Sequence, residues 1–332
     1  MTSSALPVVA LSKAGPSVAV QGLGCMGMSE FYGEADPARS RDTLAAALEA
    51  GVTLFDTADM YGRGANEEFL APFVARHRDR VVLATKFGIV RNDDPAHRAF
   101  RGDAEYVRQS AEASLRRLGV DVIDLYYMHR RDPRVPIEET VGAMAELVTA
   151  GKVRHLGLSE VSAEELRAAA AVHPIAAVQS EWSLFSRDIE TEVVPSAVAL
   201  GVGIVPYSPL GRGFLTGAFQ ESALAADDIR RVWPRFSGDN ADHNRTLLAP
   251  LRDIAEGRGI TMAQVALAWV QQRADVHGLP VVPIPGTRSP RRLAENLAAV
   301  GVVLTDDELA RLEPIAGKVA GARYPVGHRS GR

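Results

Sequence analysis

The chain has 332 residues, enough for two ordinary domains or one large barrel, and its 46% hydrophobic and 23% charged residues suit a globular protein with a sizeable core. A formal net charge of −4 without any dense Lys/Arg run argues against nucleic acid or an anionic membrane as a general partner. Cys25 is the single cysteine, which excludes an internal disulfide; with no signal-peptide pattern at the start and no apolar run near the roughly 18 residues of a membrane span, a soluble cytoplasmic protein is expected.

In chain order, Val8 to Leu11 and Val18 to Val20, separated by Lys13-Ala14-Gly15-Pro16, predict a β-hairpin running into a first strand. Gly22-Leu23-Gly24-Cys25-Met26-Gly27 then matches GxGxxG, the turn of a dinucleotide-binding Rossmann unit. That turn must open directly into a helix, whereas Gly33, Asp36 and Pro37 precede the next helical pattern, which argues against it. Helical segments follow at about 39–50, 66–77, 103–118, 137–150, 163–172 and 188–200, interleaved with apolar runs at about 53–55, 81–86, 122–128, 153–158, 176–179 and 202–206. Gly51, Gly119, Gly151 and Gly201 stand where helices should end. Helices near 243–257 and 262–272, the run Val281-Val282-Pro283-Ile284 and a helix over about 290–299 complete eight strand-plus-helix units, counting the strand before Gly22 as the first. That is the count of a (β/α)₈ TIM barrel, preceded by an N-terminal β-hairpin. No linker divides the chain, so one domain over residues 1–332 is expected.

Two segments fall outside the repeat. Ser208 to about Asn240 is too long for a routine loop after the seventh strand and reads as a functional flap. Its aromatic residues Phe214, Trp233 and Phe236, with Leu215, are expected to pack down only against a bound cofactor. The tail after Thr305 opens on an acidic helix start and ends in a Gly-, Arg- and His-rich stretch expected to be mobile.

The site of such a barrel lies at the carboxyl ends of its strands, and the residues there are polar one after another. The second strand ends at Asp56, the third at Lys86, the fourth at His129, the fifth at Ser159-Glu160, the sixth at Gln179-Ser180-Glu181 and the seventh at Tyr207-Ser208; the eighth opens into Gly286-Thr287-Arg288. Each alone has a structural explanation, Lys86 as a snorkelling cation or His129 as a core histidine. Their succession points to a site. Only four lysines occur, Lys13, Lys86, Lys152 and Lys318, so a lysine inside an apolar run suggests a compact ammonium with a close partner. Asp56 can supply the counter-ion. Tyr61, five residues on, would then feel the cation, which favours the phenolate and lowers its pKa, while His129 orients the same substrate oxygen. A proton donor with no nucleophilic serine or cysteine suits carbonyl reduction.

Asp56, Tyr61, Lys86 and His129, in FDTADMYG, LATKFG and YYMHR, resemble the catalytic tetrad of the aldo-keto reductases, and the resemblance continues through GKVRHLGLSE, VQSEWS, PYSPLGRGFLTG and IPGTRSPRRLAEN. The family implies NADPH, no metal, hydride transfer to an aldehyde or ketone, and proton donation from the tyrosine. By matching motif, Ser159 and Gln179 would hold the carboxamide and Tyr207 would stack on the nicotinamide. Gly24, Met26, Ser208, Leu210, Gly211, Gly213, Leu215 and Ile284 would line the cofactor path, the glycines and leucines of the seventh loop wrapping the pyrophosphate. Gly286, Thr287, Arg288, Arg292, Glu295 and Asn296 would hold the adenosine 2′-phosphate and adenine. Many relatives carry Asn after the fifth-strand serine, where this chain has Glu160. Met28, Phe31, Tyr32, Phe87 and Trp182 are expected to form an apolar substrate mouth. The family also includes channel-associated regulatory subunits that keep the barrel and cofactor, and the same barrel could host a Schiff-base aldolase on Lys86. The intact tetrad argues against the first, and a lysine kept protonated by Asp56 argues against the second.

Overall fold

The computed structural model describes residues 6–91 and 98–325. A short antiparallel hairpin, β1 (Val8–Ala10) with β2 (Ser17–Ala19), precedes the barrel. The barrel strands are β3 (Leu23–Gly24), β4 (Leu54–Asp56), β5 (Val82–Phe87), β8 (Ile123–Met128), β9 (Val153–Ser159), β10 (Ile175–Glu181) and β11 (Gly203–Tyr207). They pair in parallel in that order. Between β5 and β8 a second hairpin, β6 (Ile89–Arg91) with β7 (Arg98–Phe100), stands on the site end.

Closure comes from 280–284, which pairs by backbone hydrogen bonds without forming a regular strand. Ile204 N donates to Pro280 O, Val282 N to Ile204 O and Ile284 N to Pro206 O, while Gly22 N donates to Pro283 O on the far side. Pro280, Pro283 and Pro285 lack an N–H, so the ladder cannot be continuous although the eighth position is filled. The fold is therefore the expected (β/α)₈ TIM barrel with an N-terminal hairpin.

Strand and helix alternate because each apolar run can be buried on both faces once helices cover the sheet. Leu54, Ala84, Leu125, Tyr127, Ala177, Val205 and Val282 fill the barrel's interior, and Leu11 and Val18 of the hairpin region join that cluster. The outer ring is α1 (Pro37–Glu49), α2 (Ala65–Arg76), α3 (Ala104–Leu118), α4 (Ile137–Thr149), α5 (Ala163–Val172), α6 (Val193–Leu200), then α7 (Gly238–Thr246), α8 (Ala249–Arg258), α9 (Met262–His277), α10 (Pro290–Leu297) and α11 (Asp306–Leu312). Asp36 and Pro37, read as loop residues, instead start α1: the Asp36 carboxylate accepts from Ala38 N and Arg39 N, and Pro37 takes the first turn, where no N–H is needed. The single helix expected over 243–257 is two, with Pro250 in the first turn of the second.

The first barrel strand lies inside the glycine motif, not before it. Ser17–Ala19 is the hairpin's second arm, while Leu23 and Gly24 pair with Phe55 and Asp56. A Cβ on Gly24 would stand 2.9 Å from the Ile284 carbonyl, so the glycine permits the first strand to lie against the eighth.

Ser208 to Asn240 also departs from expectation. It is a chain of short 3₁₀ turns rather than an open flap. Phe214, Leu215, Trp233 and Phe236 are buried against protein: Phe214 packs on Phe185, Phe219 and Phe236 with ring centroids 4.9–6.0 Å apart. Arg235 adds bonds to Phe185 O, Ser186 Oγ and Gly321 O. The aromatics supply one another's surface and need none from a cofactor. No described helix is long and apolar enough to cross a membrane.

Candidate active site

At the carboxyl end of the barrel a cavity of about 690 Å³ is lined by Asp56, Tyr61, His129, Ser159, Gln179 and Tyr207. Parallel strands place these residues at one height, and alternation along each strand decides which side chains turn inward.

Lys86, at the inward-facing position of β5, has no exposed surface, and its ammonium donates to Asp56 Oδ1 at 2.5 Å and to Thr57 O at 2.7 Å. Asp56 Oδ2 accepts from Gln179 Nε2 at 2.8 Å, so both carboxylate oxygens are engaged. The Lys86 Nζ lies 5.2 Å from the centre of the Tyr61 ring. Burial opposes the charged lysine, yet Asp56 and then Tyr61 outweigh it, and Lys86 is held above its ordinary pKa. This lysine is a fixed cation and a poor nucleophile.

Tyr61 sits in a 3₁₀ turn directly after β4, with its ring edge-on to His129 at 5.9 Å. Here the expectation from charge alone needs correction. Burial raises the phenol above its ordinary pKa, and the Lys86 cation pulls it down without overcoming that rise. Tyr61 is therefore kept protonated, with the cation placed to steady the phenolate once the proton has left.

Ser159 Oγ accepts from Arg130 at 3.1 Å. Glu160 does not line the cavity. With a φ of +53°, it turns its fully buried carboxylate to Glu181 N at 2.9 Å, Tyr207 Oη at 3.1 Å and Arg323 at 2.6 Å. Burial and the Glu160 charge push the Tyr207 phenol well above its ordinary value, so it stays neutral and donates. Phe31, Ser208 and Arg212 also hold positive φ around the rim. Such strain concentrates where surrounding structure fixes a site.

The remaining wall is formed by Gly24, Met26, Ser208, Leu210, Gly213 and Ile284, and by Gly286, Thr287, Arg288, Arg292, Glu295 and Asn296. Gly211 and Leu215 lie just behind it, buried in the packing of the seventh loop. Arg288 is placed at the wall, and three of its five N–H donors go to Gly27 O, Tyr32 O and Gly33 O at 2.9–3.3 Å. It ties the loop after β3 to the end of the eighth segment, and the open guanidinium groups beside the α10 N-terminus are Arg291 and Arg292. Arg39, bonded to Ser289 Oγ at 2.9 Å, stands with them. Among the described residues no group of three or more His, Cys, Asp or Glu is placed to hold a metal ion.

The expected apolar mouth is only partly formed. Phe31 and Tyr32 line the cavity; Met28, Phe87 and Trp182 do not. Since Lys86 faces inward, its neighbour Phe87 must face the helix layer, where it stacks on Tyr126 at 5.0 Å. Trp182 is fully buried and donates to Glu190 at 2.8 Å, and Met28 packs with Leu23 and Leu293. Their places are taken by Met60, Ile89, Trp233 and Tyr324. Arg130 and Arg291 were legible as neighbours of His129 and Arg292. Arg39 and Tyr324 carried no motif at all.

The profile of the Aldo/keto reductase family matches residues 22–316. The chain is 44% identical over 331 residues to "Probable aldo-keto reductase 1" of Glycine max, covering 98% of this chain and 93% of the relative. It superposes with a TM-score of 0.83 on a glycerol dehydrogenase of Gluconobacter oxydans, at 28% identity, over 99% of this chain and all of that one. A thermostable aldo-keto reductase crystallised with the inhibitor epalrestat is similar at 27% identity and a TM-score of 0.72, over 93% of this chain and all of that one. With a buried lysine–aspartate pair behind a tyrosine at the barrel's carboxyl end and sequence likeness along nearly its whole length, this chain belongs to the aldo/keto reductase family of carbonyl-reducing oxidoreductases.

Proposed function

We propose that the protein reduces an aldehyde or ketone to the alcohol with NADPH, as a single barrel domain spanning residues 1–332 and acting in the cytoplasm. The observation that carries this reading is the Lys86–Asp56 pair set behind Tyr61 in a cavity that also carries unpaired basic side chains at a helix N-terminus. The walls suit a dinucleotide phosphate. Gly286 lines the cavity, and Arg292, Arg291 and Arg39 stand where a phosphate dianion would be matched by guanidinium groups and the start of α10.

When bound, the cofactor supplies a hydride to the carbonyl carbon. The chain's own residues do the rest. Tyr61 Oη gives its proton to the carbonyl oxygen, and the resulting phenolate is steadied by Lys86. Asp56 and Thr57 O hold Lys86 in place. His129 holds the carbonyl oxygen toward Tyr61, and Tyr207 offers a face for the nicotinamide. Because Lys86 is locked as a cation, the geometry favours this acid role over a Schiff base.

An NADPH-oxidation screen across aldehydes, ketones and quinones tests the proposal, with oxidation of polyols by NADP⁺ as the reverse arm. Turnover of at least one reactive carbonyl is expected. Tight NADPH binding with no turnover would instead support a cofactor-binding regulatory subunit.

A further inference from the structure

The segment Ala320–Tyr324 is tied back over the site. Asn244 exchanges two hydrogen bonds with Ala320, at 2.8 and 3.0 Å, and Arg235 Nε donates to Gly321 O at 3.1 Å. Gly321 has a φ of +84°, and a Cβ there would lie 2.8 Å from the Pro234 carbonyl carbon, so the chain passes this point only as glycine. Two side chains then reach inward. Arg323 places its guanidinium on the Glu160 carboxylate, and Tyr324 lines the cavity with its hydroxyl 2.9 Å from that of Tyr207 and its ring edge-on to Trp233.

Glu160 is the centre of this arrangement. Its carboxylate joins the end of β9, the Tyr207 hydroxyl at the end of β11 and the C-terminal segment. A fully buried carboxylate is costly without a hydrogen-bonded counter-ion, and Arg323 makes the ion pair with it. Glu160 and Tyr324 both meet the Tyr207 hydroxyl, and both are tied to the C-terminal segment, Glu160 through Arg323.

We propose that Arg323, acting through Glu160, is a positioning residue for Tyr207, and that residues 320–324 form a strap holding the cofactor-stacking face of the cavity in place. This rests on the reading above, in which the nicotinamide lies against Tyr207. It gives Glu160 a role other than contact with the carboxamide.

The test compares the full-length wild type with E160Q, R323M, R323K and E160Q/R323M. NADPH affinity is read by quenching of tryptophan fluorescence, and amide exchange over residues 316–325 is read without cofactor. The double variant removes both charges of the Glu160–Arg323 pair, so neither is left without the other, and it separates positioning from the cost of breaking that pair. Exchange in 320–324 should accelerate in E160Q, R323M and the double variant. NADPH affinity should fall roughly tenfold in E160Q and in R323M, and by no more than that factor in the double variant, with partial rescue in R323K. Wild-type affinity in the double variant would overturn the positioning role, as would an R323M effect that persists in full on top of E160Q. If the wild type itself fails to bind NADPH, the cofactor reading falls, and the exchange measurement still decides the strap: protection in E160Q equal to wild type would overturn the anchor.

Discussion

Removing the Lys86 ammonium by Lys86→Met should have two separable effects. Asp56 would remain buried, bonded to Gln179 but without its cation. Breaking a buried ion pair from one side costs about 3–5 kcal/mol, because the surviving charge is uncompensated. Over 332 residues, at roughly 2.1 cal/mol/K each, the unfolding entropy is about 0.7 kcal/mol/K, so Tm should drop by about 4–7 °C. Asp56→Asn/Lys86→Met removes both charges and should recover most of that loss. Catalysis should not recover with it, since neither variant has the Lys86 ammonium beside Tyr61, and both should be slowed about 10²–10⁴-fold. Differential scanning calorimetry and NADPH oxidation on the same preparations read the two effects. A single variant as stable as wild type, or a double variant no more stable than the single, would refute the claim that Lys86 carries the buried Asp56 charge.

Cofactor choice should rest on the open basic residues: Arg292→Ala is expected to weaken NADPH binding roughly 10- to 100-fold and NADH binding hardly at all, at about 1.5–3 kcal/mol per charge-assisted bond. Arg288→Ala should weaken both cofactors, because its bonds go to Gly27, Tyr32 and Gly33; titration of each cofactor into each variant separates the two cases. Asp59 beside the site is raised well above its ordinary 3.8 by burial and then by Glu67. Its neutral form is favoured in the fold, so its contribution is full below that ordinary value and lost as pH rises through the folded one. Asp59→Asn should therefore gain stability over wild type as pH is raised from about 4 to 8, and a Tm difference independent of pH would contradict the sign.

The barrel and the gathering of polar side chains at its carboxyl end were legible because both are written in short range. Apolar runs ending in Asp56, Lys86 and His129 place those side chains at the carboxyl ends by strand alternation alone, and glycines such as Gly119 and Gly201 close the preceding helices. What was not legible depends on contacts far apart in sequence. The first strand fell on Leu23–Gly24 because the glycines allow close approach to Ile284, more than 250 residues away. Trp182 and Phe87, apolar and next to the motifs, suggest a mouth in the sequence, while the face each presents depends on the inward neighbour. The seventh loop is packed on its own aromatics, and the tail, expected to be loose, is fastened as far as Tyr324; residues 326–332 lie outside the described chain. Arg288 matched its motif, and it also donates to carbonyls of the first loop, a contact no local pattern announces.

The central claim is that Tyr61 is the proton donor in carbonyl reduction. Its most direct test is a single turnover with Tyr61→Phe, in which saturating NADPH is bound first, a reactive aldehyde is added, and the loss of NADPH absorbance is followed alongside a separate binding titration. In the proposed mechanism the phenol meets the reacting oxygen and not the cofactor's anchor points. The variant should accordingly bind NADPH with wild-type affinity and reduce the aldehyde at least about 10²-fold more slowly. Reduction at the wild-type rate with cofactor binding intact would contradict the assignment and with it the mechanism built on Lys86 and Asp56.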